Sequence, residues 1–205
     1  MLDIIKYPDY PPLKSLNWCK IKFSGGTRPR FSHHDKIWKK ILDTGLVKTI
    51  VEVGTFVGYT ACLMAGCSNV EKVYTVDNWL FTLHRSENPQ EQFFSNVLGC
   101  GLENKIIPIK GTSWEVGKQF KKLGIKVDLV YIDAHHKGES VRKDLNAWYG
   151  VGKFICGDDY TIIHHKALIE EVNKFAKKIN CEVKNIGKFW WFEDFIHPQT
   201  IIESQ

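Results

Sequence analysis

Acidic residues directly follow two apolar runs of the sequence. These acids are the clearest indication of the chemistry that the protein could perform. Asp133 follows the run 127–132, and Asp158 and Asp159 follow the run 153–157. Both runs are β-branched and aromatic with little polar alternation, which is typical of buried strands in a parallel sheet. Ligands of open α/β sheets collect at the carboxyl ends of such strands. Three carboxylates there would repel one another unless a cation lay between them, so we expect all three to bind Mg²⁺ or Ca²⁺.

A glycine-punctuated turn follows an earlier strand candidate, which contains Glu52. Gly54 lets the backbone turn and approach a ligand, and Gly58 permits close packing where the next helix begins. The spacing is not the dinucleotide fingerprint, and no P-loop lysine follows. Asp77 ends the next strand, where an acid can accept hydrogen bonds from a ribose diol bound over the turn. Together these residues predict an adenosine-bearing cofactor that needs no phosphate cradle.

Strand and helix patterns alternate through most of the chain. We predict strands at 49–53, 72–76, 105–109, 127–132 and 153–157, and helices at 32–45, 58–66, 89–99, 113–123, 139–149 and 164–179. Such alternation implies right-handed crossovers and a mostly parallel sheet with helices on both faces. The runs 181–186 and 188–195 have no room for a crossover helix between them. They must form a hairpin, or one of them must lie antiparallel in the sheet.

Length and composition indicate one α/β domain. The 205 residues suffice for one substantial core and are few for two. Residues 1–31 form a Pro-bearing leader, and residues 32–205 form the domain. The leader would serve as a lid over the substrate or as a dimer contact, so a homo-oligomer stays open as an expectation.

Charge and cysteine usage limit the partners that we expect. The net charge of +5 is mild, and its lysines fall on predicted helix faces, so no nucleic-acid partner is expected. No apolar run approaches the roughly 20 residues that span a bilayer, and the N-terminus lacks a secretory signal, so no membrane partner is expected. The six cysteines form no CxxC pair. A reduced, cytoplasmic location is the simplest expectation.

The glycine turn and its acidic partner resemble the class I S-adenosylmethionine-dependent methyltransferases. The segment Glu52-Val-Gly54-Thr-Phe-Val-Gly58 is similar to their first motif, and Val76-Asp77 is similar to their second. Gly111-Thr-Ser113-Trp114 is similar to the segment that borders the adenine. The resemblance covers about residues 33–195 and implies a Rossmann-like, seven-stranded sheet with an antiparallel last strand.

The same resemblance implies a set of cofactor-binding residues. They are Glu52, Gly54, Thr55, Gly58, Asp77, Asn78, Ser113, Trp114 and Asp133. By analogy, Gly54 and Gly58 would flank the methionine moiety, and Asp77 would bind the ribose. Asn78, Ser113 and Trp114 would then border the adenine.

Two further segments resemble the small metal-dependent O-methyltransferase branch, which includes catechol-type enzymes and macrolide sugar O-methyltransferases. Asp-Ala-His-His at 133–136 and Gly-Asp-Asp-Tyr at 157–160 are similar to a bacterial group with D-A-D-H-x-Y-x-x-x-x-x-D-L followed by G-D-D-Y. In that group the three acids bind Mg²⁺. This chain departs from the pattern at His135, where an acid is usual, and at Gly138, where tyrosine is usual.

The chemistry implied is methyl transfer from a sulfonium to a hydroxyl of a small polyhydroxylated acceptor, a sugar or a natural product. A metal ion held by the acids could take two vicinal hydroxyls and lower their pKa. His136 is the expected base, because imidazole titrates near neutrality. His135 is the second candidate, and Asp133 is a third if the metal leaves one oxygen unbound.

Two other functions stay open on the sequence. His164 and His165, with His135 and His136, could complete a two-histidine, one-carboxylate iron site of a non-haem oxygenase. That interpretation leaves the glycine turn and Asp77 without a purpose. The second alternative is a non-catalytic subunit that only binds S-adenosylmethionine, against which the intact acid trio argues.

Overall fold

Strands and helices alternate along the chain as the sequence predicts. The structure is a computed structural model, and it describes residues 1–14, 33–80 and 88–192. The helices are α1 His33–Asp43, α2 Tyr59–Ala65, α3 Pro89–Cys100, α4 Ser113–Lys122, α5 Gly138–Trp148 and α6 Ile162–Lys178. The strands are β1 Thr49–Val53, β2 Lys72–Asp77, β3 Ile106–Lys110, β4 Val127–Ile132, β5 Gly152–Gly157, β6 Val183–Ile186 and β7 Phe189–Phe192.

All seven strands form one sheet in the order β3-β2-β1-β4-β5-β7-β6. The first five strands in that order are parallel, and β7 is antiparallel to both of its neighbours. The chain builds outward from β1 to β3 and then returns to place β4 on the other side of β1. The sheet therefore has its topological switch point between β1 and β4, where ligands of open α/β sheets bind.

Two hydrophobic cores lie on the two faces of the sheet. Helices α1, α2 and α3 cover one face, and their apolar side chains pack with Tyr131 and Phe189. Helices α4, α5 and α6 cover the other face and pack around Phe120, Trp148 and Trp190. Every predicted helix therefore has a buried apolar side, and the predicted doubly covered architecture is confirmed.

The C-terminal hairpin inserts β7 between β5 and β6. A two-residue turn beginning at Gly187, with φ of 58°, joins β6 to β7. The four residues of β7 are Phe-Trp-Trp-Phe, and all are buried. Phe189 and Trp191 enter one core and Trp190 enters the other, as the two-residue period of a strand requires. An antiparallel strand covered on both faces thus explains the continuous aromatic run.

The first residues of the leader cover the free edge of β3. Ile5 N donates to Pro108 O at 3.0 Å, and Lys110 N donates to Asp3 O at 2.9 Å. Proline has no N–H to give to a ladder, and an uncovered strand edge invites pairing with other chains. Residues 3–5 thus cover this edge, and the lid or dimer contact expected of the leader 1–31 stays a prediction, because residues 15–31 lie outside the described residues.

Several element boundaries differ from the sequence prediction by one or two residues. Strand β3 begins at Ile106, one residue later than predicted, and α5 begins at Gly138, one residue earlier. Helix α6 begins at Ile162, two residues before the predicted start, and a kink at the non-helical His165 separates its first residues from the rest. Across residues 1–14, 33–80 and 88–192, no helix is long and apolar enough to cross a membrane.

Gly157 offers a test of how tightly β5 and β7 pack. A Cβ added there would lie 2.4 Å from the Trp190 ring and 2.6 Å from the Ile132 carbonyl oxygen. We expect Gly157→Ala to lower the free energy of unfolding in urea by about 1–3 kcal/mol through overpacking. The matched control is Gly138→Ala, whose added Cβ comes no closer than 3.4 Å to any group. Equal stability of the two variants would contradict this account of the hairpin.

Candidate active site

The carboxyl ends of β1 and β4 meet at a point where only glycine fits. Gly54 has φ of 91°, and a Cβ on it would lie 2.2 Å from the backbone oxygen of Asp133. Asp133 N donates to Val53 O at 2.8 Å, and Gly54 N donates to Val76 O at 2.8 Å. The glycine turn and the first acid of the predicted metal group therefore lie side by side at the switch point.

Glu52 lies beneath the glycine turn and holds it from inside. Its side chain is 2% exposed, and its Oε2 accepts a hydrogen bond of 2.5 Å from Thr55 Oγ1. Burial, together with the nearby carboxylates of Asp133 and Asp77, raises the pKa of Glu52 to about 8. Glu52 and Thr55 thus support the turn, and their direct contact with a cofactor stays a prediction.

Asp77 joins the glycine turn to the end of β2. Its Oδ2 accepts from Phe56 N at 2.8 Å, and its Oδ1 accepts from Trp79 N at 2.7 Å. The indole Nε1 of Trp79 donates to Phe56 O at 2.8 Å. Phe56 and Trp79 both have positive φ, near 50°, a conformation that non-glycine residues rarely adopt. Asp77 therefore stabilises a strained backbone at the place where a ribose is expected.

The residues predicted to border the adenine follow β2 and β3 on the same edge of the sheet. Asn78 Oδ1 accepts from Leu80 N at 3.0 Å. Ser113 Oγ donates to the carboxylate of Asp144, whose pKa burial raises to about 7. The Trp114 ring lies under the Lys143 ammonium, 4.9 Å from its centre. Ser113 and Trp114 thus follow the carboxyl end of β3, and their side chains contact α5.

The three predicted metal ligands lie at the ends of β4 and β5, but their charges are not equally balanced. Burial, together with the negative charges of Asp158 and Asp159, raises the pKa of Asp133 to about 7. Tyr131 Oη donates to Asp133 Oδ2 at 3.3 Å. Asp158 Oδ1 accepts from Asp159 N at 2.5 Å. Asp133 thus faces like charges, as the sequence analysis expects.

Asp159, in contrast, is held by cationic side chains. His136 Nε2 lies 2.7 Å from Asp159 Oδ2, and Lys188 Nζ lies 3.3 Å from its Oδ1. The hydrogen bond with His136 lowers the pKa of Asp159 to about 2 and raises that of His136. Asp159 also has a left-handed backbone, with φ of 61°. Its carboxylate is therefore ionised and partnered without a metal ion.

The histidines separate into two groups. His165 Nε2 lies 3.8 Å from Asp159 Oδ1, and its ring centre lies 4.2 Å from that of His136. His135 and His164 are exposed. Within the described ranges, one group of metal-ligating side chains has all its ligand atoms within 4.8 Å of one another: His136, Asp159 and His165. Asp133 and Asp158 are not part of that group.

The acid trio fits Mg²⁺ in its donor chemistry, though Asp159 would have to exchange partners. A cation next to Asp133 would relieve the like charges that raise its pKa, and carboxylate oxygens are the ligands that Mg²⁺ prefers. For Asp159 to join, its ion pairs with His136 and Lys188 would loosen. Metal binding by Asp133, Asp158 and Asp159 stays a prediction.

Sequence reasoning did not identify several residues of the site. Lys188 reaches Asp159 from the hairpin turn, and Trp190 Nε1 donates to Asp158 O at 3.0 Å. Neither residue lies in a segment that the sequence analysis assigned to the site. For Asp144 the sequence does carry a signal, because this residue stands at the last aspartate of the D-A-D-H-x-Y-x-x-x-x-x-D-L pattern.

The sequence of the site matches a known protein family. A family model described as a methyltransferase domain matches residues 51–155, just over half of the chain. The chain belongs to this methyltransferase family. The matched segment contains the glycine turn, Asp77, Ser113 and the Asp133–His136 segment, whereas Asp158 and Asp159 follow it. The suspected class of protein is thereby confirmed.

Solved structures show the same fold at low sequence identity. An O-methyltransferase from Bacillus cereus in complex with SAH aligns with a TM-score of 0.60 and 16% identity over 80% of this chain and 81% of that one. A candidate caffeoyl-CoA O-methyltransferase from Staphylococcus aureus aligns with a TM-score of 0.60 and 21% identity, over 80% of this chain and 84% of that one. The O-methyltransferase TomG from Streptomyces achromogenes, in complex with SAM, aligns with a TM-score of 0.60 and 14% identity over 80% of each chain. No curated protein sequence matches this methyltransferase.

Glu52 should make the stability of the methyltransferase depend on pH. Its pKa rises from 4.5 when unfolded to about 8 when folded. Between these values the folded chain keeps a proton that the unfolded chain has lost, so the free energy of unfolding falls as pH rises. We expect Glu52→Gln to remove about one proton from this dependence, measured by urea unfolding between about pH 5 and pH 8. In this variant the free energy of unfolding should still fall with pH, because the pKa values of Asp133 and Asp144 are also raised in the folded chain.

Glu139→Gln is the matched control for this experiment. Glu139 is exposed, and its pKa is lowered by a hydrogen bond from Lys143, so its contribution changes only below about pH 4.5. An unchanged slope for Glu52→Gln would show that the buried carboxyl is already ionised at neutral pH.

Proposed function

We propose that the protein is an S-adenosylmethionine-dependent, Mg²⁺-dependent O-methyltransferase that acts on a hydroxyl of a small polyhydroxylated acceptor, such as a sugar or a natural product. The observation that carries the proposal is the close approach of Gly54 to Asp133, because the turn that would bind the cofactor then lies beside an acid that would hold the metal ion. Methyl transfer requires such neighbouring sites, since the donor carbon and the acceptor oxygen must meet in line. The fold shared with structures in complex with SAH and SAM supports the cofactor assignment.

The cofactor would occupy the crevice over the glycine turn. Gly54 and Gly58 would flank the methionine moiety, and Asp77 would accept hydrogen bonds from the ribose hydroxyls. A carboxylate oxygen accepts more than one hydrogen bond, so Asp77 can hold the backbone of the turn and a ribose together. Asn78, Ser113 and Trp114 would border the adenine.

The acceptor would bind over the ends of β4 and β5. Asp133, Asp158 and Asp159 would hold Mg²⁺, which supplies a lowered pKa and a fixed orientation for bound hydroxyls. His136 is the base in this proposal, because its Nε2 lies at the edge of the acid group and its ion pair with Asp159 orients the ring. It accepts a proton only in its neutral form, so methyl transfer should increase as pH rises through its raised pKa.

Two alternatives for the base follow from the geometry. Asp133, with a pKa raised to about 7, could accept a proton near neutrality when no cation holds it ionised. His135 is exposed and makes no ion pair with the acid group, so it is the weaker candidate.

Cofactor binding tests the proposal most directly. We expect S-adenosylmethionine and S-adenosylhomocysteine to bind in calorimetric titration, with Mg²⁺ or EDTA, and Asp77→Ala to weaken binding at least about tenfold. A tenfold loss corresponds to about 1.4 kcal/mol, the scale of one lost charge-assisted hydrogen bond.

Asp128→Ala is the matched control, because Asp128 also accepts from two backbone amides, those of Lys48 and Thr49. It lies at the amino-terminal end of β4, at the opposite edge of the sheet. Its loss should lower stability and leave cofactor affinity unchanged. Equal effects of the two variants would reduce Asp77 to a structural residue, and no binding by the wild-type protein would overturn the proposed function.

Methyl transfer tests the role of His136. With Mg²⁺ and labelled S-adenosylmethionine, we expect transfer to some member of a panel of vicinal diols, including catechol and free sugars. His136→Ala should lower kcat by about 10²–10⁴-fold, the usual contribution of a general base. His164→Ala, an exposed histidine outside the acid group, is the control and should keep full activity.

Other outcomes of the same assay assign other functions. A larger loss with His135→Ala than with His136→Ala would transfer the role of base to His135. Cofactor binding without transfer to any acceptor would favour the non-catalytic subunit. Oxygen consumption with Fe²⁺ would favour the oxygenase.

A further inference from the structure

The imidazoles of His136 and His165 and the carboxylate of Asp159 form a compact group at the edge of the acceptor site. Their ligand atoms all lie within 4.8 Å of one another. We propose that these three residues bind a divalent transition-metal ion such as Zn²⁺ or Co²⁺. The inference goes beyond methyl transfer, because such binding requires neither S-adenosylmethionine nor an acceptor.

The distances suit a small ion with short bonds. Tetrahedral Zn²⁺ has bonds of about 2.0–2.1 Å to histidine nitrogen, so its ligand atoms stand about 3.3 Å apart. His136 Nε2 and Asp159 Oδ2 are 2.7 Å apart, and His165 Nε2 and Asp159 Oδ1 are 3.8 Å apart. These values lie on either side of the ideal. The two distances involve different oxygens of Asp159, and the three ligand atoms all lie within 4.8 Å of one another, so side-chain rotation would have to bring them to this separation.

The chain presents His165 through a break in α6. His165 has φ of −132° and ψ of 45°, whereas its N–H still donates to Thr161 O at 2.9 Å. The neighbouring His164 is exposed and is not part of the three-residue group. The side chains of His136, Asp159 and His165 are 36%, 19% and 23% exposed. Because His136 Nε2 is itself buried, an ion would enter past the partly exposed side chains of Asp159 and His165.

The donor atoms distinguish this site from the predicted Mg²⁺ site. Two imidazole nitrogens and one carboxylate suit Zn²⁺, Cu²⁺, Ni²⁺, Co²⁺ and Fe²⁺, whereas Mg²⁺ prefers oxygen ligands. The acid trio offers only carboxylate oxygens. Asp159 belongs to both groups, so the two modes of binding compete for one carboxylate. His136 also has two roles that exclude each other. A metal ion on its Nε2 would occupy the lone pair that accepts a proton in the proposed methyl transfer.

The ammonium group of Lys188 would repel a metal ion bound at this group. Its ammonium lies 3.3 Å from Asp159 Oδ1, and its side chain is half exposed, so it can turn into solvent. The hydrogen-bonded oxygen would then be available to the ion. Removing this ammonium should therefore tighten metal binding, in contrast to removing a ligand.

Co²⁺ is the probe that tests the inference, because its visible absorption reports coordination independently of activity. The 205-residue protein, stripped with EDTA, would be titrated with Co²⁺, and bound metal would be measured by equilibrium dialysis. We expect one equivalent to bind with the intense bands of low coordination number. Because Asp159 is shared, Mg²⁺ should displace this Co²⁺ only when Mg²⁺ is in large excess. His165→Ala should weaken binding at least about tenfold, the loss expected for a group that sets metal affinity.

Three further variants make the result specific. His164→Ala and Asp133→Asn should bind Co²⁺ like the wild type, and Lys188→Ala should bind it more tightly. Urea unfolding of each variant separates the loss of a ligand from the loss of the fold. Wild-type affinity in His165→Ala, or displacement of Co²⁺ by equimolar Mg²⁺, would overturn the inference. Failure of cofactor binding would overturn the proposed function alone, because Co²⁺ binding is measured without cofactor.

Discussion

The close approach of two backbones at the switch point is the constraint on which the site depends. The Asp133 carbonyl oxygen occupies the space that a side chain at residue 54 would need. No larger residue could bring the end of β1 so near the end of β4. This contact fixes the distance between the turn over which a cofactor would lie and the acids that would hold an acceptor. The rest of the sheet serves to keep those two strand ends in register.

Four acids near this edge of the sheet differ because their surroundings differ. Glu52 is buried under the turn with a raised pKa, whereas Asp77 is used to hold backbone amides. Asp133 faces like charges, and Asp159 faces cations. The same carboxyl group thus serves as a protonated buried support, as an acceptor for backbone amides, as a candidate metal ligand and as a partner in ion pairs. Residue identity alone could not have separated these roles.

The sequence predicted the architecture well, because that depends on local periodicity and on turn chemistry. Alternating strands and helices, the glycine turn and the antiparallel end of the sheet all have signals within a few residues of one another. The roles of Lys188 and His165 had no such signal. Lys188 reaches Asp159 only because β7 inserts beside β5, and His165 reaches it only because α6 departs from helical geometry there. Contacts made by tertiary packing between distant segments have no spacing to be found in the sequence.

The position of the C-terminal hairpin has a consequence for the order in which the site is built. The ribosome delivers the glycine turn, Asp77 and Asp133 first, and the parallel strands that carry them can pair as soon as β4 has emerged. The hairpin comes last, with the ammonium that balances Asp159 and the indole that binds the Asp158 carbonyl. A nascent chain that ends at residue 180 therefore lacks the positive charge and the hydrogen-bond donor that the hairpin brings to Asp159 and Asp158. The cofactor half of the site can mature during synthesis, whereas the acceptor half is completed only after the last strand enters the sheet.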